Sequence, residues 1–419
     1  MDRQILFVFG AQASGPQGSA PNDPLLAARN LNYRTAVMGP SLSCNLSEKL
    51  LDHYEPIDLR RHEPAVVAAR ALHQACPIGA VVCYDDEAVA IAARIAAVLG
   101  VPGHPVEAAD AARDKVLMKQ RFQAAGVPIA RYVLAADEDD AVRWAAGTGY
   151  PVVIKPVRGS ASQGVIRADS EHELRQAYRR VRRIVRDYAL DTGGRPDTAQ
   201  LVEAYLDGSE VSVELLVRDG TPHPLCVFEK PRPLHGPFFE ESIYVTPARL
   251  PAAQRRQVEA LAVRGAVALG LRHGFAHCEI RLSSAGPFVL ETAARVIGGA
   301  CSRVLGYAVG EDIHSCIIRL ALGEEFPVPQ QRPGAVGAMM LPVMQEGRLV
   351  GVRGVARAAS IPGVQDVMVC ATSDEIVLSF PEQSCYIGFL TARAETPKEV
   401  VDLLTEAADQ IDLELAPLA

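Results

Sequence analysis

Apolar and polar positions along the first hundred residues switch between two periods. Ile5-Leu6-Phe7-Val8-Phe9 is a short, unbroken apolar run, the pattern of a strand buried on both faces of a parallel sheet. Residues 34–38 and 79–83 repeat that pattern. Between and after them, residues 24–30, 65–74 and 89–99 predict helices, the last closed by Gly100 as a C-cap. Strands alternating with helices predict a small doubly wound parallel sheet over residues 1–110. From Asp114 the texture changes. Residues 115–125 predict a helix that Gly126-Val127-Pro128 stops, 137–147 a second and 171–190 a long third. Strands are expected at 152–156, 165–166, 201–203, 211–217, 275–282 and 287–291, with helices at 251–269 and 312–322. The polar stretch 191–198, with its Gly and Pro, reads as a mobile connection. The Pro-rich stretch 327–333 marks a boundary, followed by strands near 336–343, 375–378 and 387–394 and a last helix over 397–410. The fold class expected is α/β, turning α+β in the central part, with a small α+β unit over 329–419.

Composition narrows the function classes. Of 419 residues, 49% are hydrophobic and 22% charged, which predicts a packed globular protein. A formal charge of −8 argues against a general nucleic-acid binder, which needs a basic face. No run approaches the ~20 apolar residues that span a bilayer. The apolar run after Asp2-Arg3 is too short for a signal peptide. Nine Cys residues without a paired spacing read as reduced thiols. A soluble, cytoplasmic protein with no membrane partner is expected. His and Cys never cluster at zinc spacing. The Gly10 to Gly18 loop lacks GxGxxG and reads as a structural turn, not a dinucleotide site. The Arg-rich helix bearing Arg175, Arg179, Arg180, Arg182, Arg183 and Arg186 reads as a solvated face.

Three segments carry chemistry. Val152-Val153-Ile154-Lys155-Pro156 precedes Gly159-Ser160-Ala161-Ser162-Gln163-Gly164. A Lys ending a buried strand is costly without a negative partner, and a Gly/Ser loop behind it can wrap N–H groups around phosphate oxygens. The competing reading is a Lys snorkelling from an edge strand. The second segment runs Leu201-Val202-Glu203-Ala204-Tyr205-Leu206 into Asp207-Gly208 and Glu210. It offers backbone groups to a planar base and a carboxylate to ribose hydroxyls. In the third, His277-Cys278-Glu279-Ile280-Arg281 and Phe288-Val289-Leu290-Glu291-Thr292-Ala293-Ala294-Arg295 flank a turn. That hairpin can set Glu279 across from Glu291. Side-by-side carboxylates repel unless a cation lies between them, and Mg²⁺ takes oxygen ligands. The flanking Ile280, Leu282, Val289 and Leu290 are too apolar for a wholly solvated hairpin.

These segments, in this order, resemble the ATP-grasp superfamily over roughly residues 110–325. The resemblance implies a central ATP-grasp domain over 111–328, with 118–202 included as a nucleotide lid. It implies ATP and Mg²⁺ as cofactors, two ions with Mn²⁺ as a substitute. Lys115 and Lys155 then touch the ATP phosphates, and Ser160, Ser162 and Gly164 belong to the closing loop. Glu203, Ala204 and Leu206 hold adenine, Glu210 the ribose, and Glu279 and Glu291 the metal. Arg295 steadies the transferred phosphoryl group, with Lys155 and His277 beside it in the catalytic set. Many members carry Asn where this chain has Ala293, which puts the metal stoichiometry in doubt. The Glu-Thr-Ala-Ala-Arg run followed by Gly298-Gly299 is similar to the L-amino-acid ligases (dipeptide synthetases), as is Phe228-Glu229-Lys230-Pro231. By that similarity Glu214, His277, Arg295, Gly298 and Gly299 border a substrate pocket. The implied activity couples a carboxylate, activated as an acyl phosphate, to an amine. The partners are small-molecule carboxylates and amines, and a homodimer is left open. Rival readings are transfer to a carrier-protein thiol, a carboxylating or formyl-transferring ATP-grasp enzyme, and a nucleotide-sensing module.

Overall fold

A computed structural model of the chain describes residues 3–10, 22–42, 46–341, 343, 345–382 and 386–418. Strands β1 (Gln4–Val8), β2 (Arg34–Gly39), β3 (His53–Pro56) and β4 (Ile78–Cys83) form a parallel sheet in the order β3-β2-β1-β4. The unbroken apolar run of β1 is explained by what covers it. Ile5, Phe7 and Phe9 pack with Leu25 of helix Asn22–Asn30 and with Val304, Leu305 and Ile317 of helices Cys301–Val309 and Ile313–Ala321. Leu6 and Val8 face the other way, onto helices His62–Ala75 and Asp86–Leu99. Part of one cover layer of this sheet therefore comes from much later in the chain. The strand order reverses between β1 and β4, and the crevice at such a switch point lies beyond the strands' C-terminal ends. There the Gly10 N–H donates to Asp85 Oδ2 at 2.8 Å. Residues 11–18 of the predicted glycine loop lie outside the described residues.

A second, antiparallel sheet has the order β5-β8-β6-β7, from β5 (Tyr132–Ala135), β6 (Val152–Lys155), β7 (Ile166–Ala168) and β8 (Gln200–Ala204). Helices Glu138–Thr148 and Glu171–Asp187 bury one of its faces, with Ala141, Leu174 and Val181 inside. Both start on side-chain caps, Asp137 for Asp140 N–H and Ser170 for Glu173 N–H. The expected mobile stretch 191–198 is tied down: Asp191 pairs with Arg158 at 2.6 Å, and Arg195 with Asp114 at 2.6 Å. Its composition predicted a loop correctly but not the ion pairs that fasten it. The arginine helix is likewise not simply solvated. Arg175 and Arg179 hold Glu138, while Arg182 holds Asp197.

The largest sheet runs β13-β12-β9-β10-β11-β14-β18-β16. Its members are β9 (Ser209–Arg218), β10 (Thr221–Glu229), β11 (Ile243–Thr246), β12 (Gly274–Ser283), β13 (Gly286–Ala293), β14 (Ala335–Met340), β16 (Val364–Val369) and β18 (Gly388–Ala394). A small sheet β17-β15-β19 is made of β15 (Gly347–Arg353), β17 (Ile376–Val377) and β19 (Asp412–Ala416). The C-terminal strands thus continue the central sheet through the β11–β14 pairing. Helix Ala252–Leu269 packs under β9, β12 and β13. The sequence reading included no strand at β10, a segment that carries Pro222 and Pro224. The structure accommodates both, since β11 pairs with β10 only at Glu229 and leaves that edge open. The mixed α/β class expected from the sequence is the class observed.

Candidate active site

Strand alternation builds the polar wall of the site. In β9, Val211, Val213 and Leu215 sink into the core, so Glu210, Ser212 and Glu214 share the opposite face. In β12, Cys278 and Ile280 go the same way and leave His277, Glu279 and Arg281 on that face. Register then sets His277 beside Glu214, Glu279 beside Ser212 and Arg281 beside Glu210. On the other side of β12, Glu279 lies directly across from Glu291 of β13, as the hairpin length predicted. Ala293, buried and paired with His277, offers no ligand atom.

Each acid meets a cation. Glu203, at the end of β8 and 3% exposed, takes Lys119 Nζ at 2.7 Å and Lys155 Nζ at 2.9 Å. Burial would raise the Glu203 pKa, but the two ammoniums outweigh it and hold the carboxyl at about 2. Lys119 moves the other way: burial lowers its pKa and its share of Glu203 does not restore it. Lys155 is raised, since Glu203 and Glu291 together overcome its burial. Glu203 thus gains from two ammoniums and Lys155 from two carboxylates, whereas burial outweighs what Lys119 gains. Lys115 Nζ lies 3.2 Å from Glu291 Oε2 and donates to Gly159 O at 3.0 Å. Lys230 Nζ is gripped by Glu210, by Glu241 at 2.5 Å and by Glu279 at 2.7 Å. The three carboxylates present oxygens within 4.8 Å of one another. Arg281 Nη2 adds a contact to Glu210 Oε2 at 3.0 Å. The sequence reading gave Glu210 as a carboxylate open to a sugar. Its side chain is buried and doubly paired, although it still borders the cleft.

Over this wall lies the Gly/Ser loop. Ala161 and Ser162 adopt φ of 51° and 56°, left-handed values uncommon without glycine, and Gly164 has φ 71°. The loop roofs a cleft of about 870 Å³, counting its open mouth. Lys115, Lys155, Ser160 and Ser162 line it with Glu203, Ala204 and Leu206. Glu210, Glu279, Arg281 and Glu291 add to the polar lining, and Ala130, Val153, Leu234, Phe239 and Leu290 supply apolar surface. Gly164 stands outside the lining and donates its N–H to Pro381 O at 3.0 Å.

Glu214, His277, Arg295, Gly298 and Gly299 are not in that lining. Glu214, with no exposure, accepts from Ile297 N–H at 3.1 Å and pairs with His277 Nδ1 at 2.5 Å. Burial would lower the His277 pKa; Glu214 and Glu279 instead hold it up at about 10. His277 therefore carries positive charge behind Glu279, with Nε2 at 3.6 Å. Arg295 reaches away from Glu291, to Asp86 Oδ2 at 2.5 Å at the start of helix Asp86–Leu99. It thereby links the hairpin to the switch-point crevice of the first sheet. Gly299 has φ 61°, and a Cβ there would stand 2.8 Å from the Phe389 ring.

The sequence reading missed Lys119, Lys230, Glu241, Arg281 and Asp86. Arg281 and Lys230 stood in quoted motifs, and period-2 alternation from Glu279 would have found Arg281. Lys119 shares a helix with Lys115, one turn later, and only the fold shows that both reach inward.

Residues 148–304 match the ATP-grasp domain family. Residues 339–416 match the L-amino acid ligase C-terminal domain 2, so the trailing unit is of that type. The chain is 27% identical to an uncharacterized protein of Sinorhizobium fredii over 76% of its length and 64% of the relative's. It is 29% identical to a D-alanine–D-alanine ligase of Aromatoleum aromaticum over 50% of its length and 65% of the relative's. It therefore spans just under two thirds of the length of these two relatives. The L-amino acid ligase from Bacillus licheniformis superposes with a TM-score of 0.81 over 99% of this chain and 100% of that one, at 23% identity. Among the described residues no helix is long and apolar enough to cross a membrane.

Proposed function

We propose that this chain is an ATP-dependent carboxylate–amine ligase that activates an L-amino acid or other small carboxylic acid as an acyl phosphate and couples it to an amine. One observation carries the reading: Glu279 and Glu291 face each other across β12 and β13 at the edge of a cleft that Lys115 and Lys155 also line, beneath a Gly/Ser loop. The apolar lining suits a purine, the lysines suit phosphates, and the acid pair suits a hard cation. Mg²⁺, with Mn²⁺ as a substitute, would supply charge neutralisation there, held by Glu279 and Glu291.

A carboxylate resists attack because its own charge repels a nucleophile. Phosphoryl transfer to one carboxylate oxygen makes that oxygen a leaving group; the amine then attacks the acyl carbon, phosphate departs and the nitrogen sheds a proton. Such chemistry asks a protein for position and counter-charge more than for covalent participation. Lys115 and Lys155 bind and orient phosphate oxygens. Glu203 keeps Lys155 aimed, and its backbone, with Ala204 and Leu206, borders the base. The cationic His277 offsets Glu279, and Glu214 fixes both His277 and the chain entering Gly298-Gly299. Arg295, paired with Asp86 at the crevice where the first sheet meets the hairpin, would receive a carboxylate. The loop at 160–164 excludes water from the activated acid.

The test is nucleotide chromatography with ADP-release measurements over panels of amino acids, singly and in pairs. The expected product is ADP, stoichiometric with a new amide. AMP as the stoichiometric nucleotide rejects the mechanism, and ADP release that depends on a thiol acceptor favours carrier loading instead.

A further inference from the structure

The phosphate-facing loop does not hold its own shape. Its internal main-chain bonds are two turn contacts, Gln163 N–H to Ser160 O at 3.1 Å and Val165 N–H to Ser162 O at 3.1 Å. Two successive non-glycine residues at positive φ oppose the fold they close. What meets the far end of the loop comes from more than two hundred residues later. Gly164 donates its N–H to Pro381 O at 3.0 Å, and Gln163 Nε2 donates to Glu382 O at 2.9 Å. The Glu382 carboxylate is in turn forked by Arg180, Nε at 2.7 Å and Nη2 at 2.6 Å, with Arg183 at 3.6 Å. Arg180 lies on helix Glu171–Asp187, which backs the same lid sheet. The segment is anchored behind by packed rings: Phe380 against Tyr386 at 6.2 Å and Tyr386 against Phe389 of β18 at 5.9 Å. A continuous path therefore runs from β18 through Phe380 to Glu382, and from there to both the lid helix and the loop.

From this path we infer that Glu382 is a positioning residue for the nucleotide cleft: the C-terminal unit clasps the lid through Glu382 and so sets the backbone of 163–164 over the phosphates. The inference rests on the nucleotide reading of the cleft. Its geometry explains why a loop with two left-handed non-glycine residues stays in one shape, since the strain is borne by bonds from outside. It also assigns work to the C-terminal unit, whose described residues do not line the cleft. The carboxylate contributes through a bidentate, charge-assisted contact that a neutral or shorter side chain reproduces only in part. Glu382 touches neither cleft nor hinge, so its effect must travel through Gln163, Gly164 and Arg180. Loss of the clasp should loosen nucleotide and let water reach the activated acid.

The experiment combines hydrogen exchange on the full chain with nucleotide kinetics, for Glu382→Ala, Arg180→Ala, the double variant and Glu382→Asp. Amides of 158–166 are expected to exchange about fivefold faster in Glu382→Ala without nucleotide, the scale of one partly exposed forked pair. A fluorescent ATP analogue should dissociate faster by a similar factor, with KM for ATP rising more than kcat falls. ATP hydrolysis without an amine should increase relative to ligation. The double variant should match the single variants, because one contact is lost in each, and Glu382→Asp should recover part of the loss. Unchanged exchange at 158–166 in Glu382→Ala overturns the clasp, as does a double variant whose effect is the sum of the singles. Failure of the wild-type chain to bind the analogue overturns the nucleotide reading instead, while the exchange data still decide whether Glu382 holds the loop.

Discussion

Replacing Glu203 by Gln removes one negative charge from between two buried ammoniums. Lys119 is 1% exposed and Lys155 7%, so neither can turn to water to recover solvation. Breaking a buried pair by deleting one partner costs about 3–5 kcal/mol, since the surviving charge is left uncompensated. A second route gives a similar size. The Glu203 carboxyl falls from its ordinary 4.5 to about 2; at ~1.4 kcal/mol per pKa unit this is about 3 kcal/mol of stability at neutral pH. The sign follows from the direction. A depressed carboxyl contributes fully above its unfolded pKa and loses that contribution as pH falls through the folded value. The window is therefore about 4.5 down to 2, and at pH 3 about 1 kcal/mol should remain.

The chain supplies its own probe. Its single tryptophan, Trp144, packs against the core of the lid sheet that carries β6 and β8. Urea unfolding followed by Trp144 fluorescence reports on that unit. Glu203→Gln should lower the wild-type stability by about 3 kcal/mol at pH 7 and by about 1 kcal/mol at pH 3. Equal unfolding midpoints at pH 7 would show that the carboxylate does not balance the two lysines. A deficit as large at pH 3 as at pH 7 would show that geometry, not charge, is what Gln disturbs.

Three other outcomes are expected. Lys119→Met should change stability by no more than about 1 kcal/mol at neutral pH, because the ammonium's burial is not repaid and Lys155 still serves Glu203; urea midpoints check this. Glu291→Gln should abolish product while leaving circular dichroism unchanged, and near-normal turnover at saturating Mg²⁺ rejects a metal role for the Glu279–Glu291 pair. Arg295→Lys should lose turnover by about 2–4 kcal/mol while nucleotide affinity holds, since an ammonium cannot fork two oxygens as a guanidinium does. An unchanged kcat would leave Arg295 as only the tether to Asp86.

What was legible in the sequence was whatever depended on period. The run 5–9 specified a doubly covered strand without saying that part of its cover lies at 301–321. The hairpin length specified the Glu279–Glu291 register, because strand partners are counted residue by residue. Partners brought together by topology were not legible. Nothing near Lys119 or Lys230 announces the acids they meet, since Glu203 lies 84 positions from the first and Glu279 49 from the second. Strand β10, absent from the sequence reading, carries prolines that only an unpaired edge tolerates. The fastening of 191–198 was hidden because a polar, glycine-bearing stretch looks the same whether its charges find water or Arg158 and Asp114.

The charge layout bears on how the site works as a whole. A row of acids on one sheet face would repel itself apart unless cations were interleaved. Lys115 on Glu291, Lys230 among Glu210, Glu241 and Glu279, and His277 behind Glu279 provide that interleaving. These cations differ in how firmly they are committed. Lys230 is nearly fully buried, and its three acids hold its pKa far above the ordinary lysine value against the pull of burial, so it stays where it is. Lys115 meets one acid that is 31% exposed and one backbone carbonyl, and it borders the cleft. A phosphate oxygen competes easily for a cation held that loosely. On the proposed reading, Lys115 would turn to phosphate, and Glu291, opposite Glu279 and still near Lys155, would be freer to take a hard cation. Nucleotide capture by Lys115 and metal capture by Glu291 would then support each other, while Lys230 holds Glu279 at 2.7 Å.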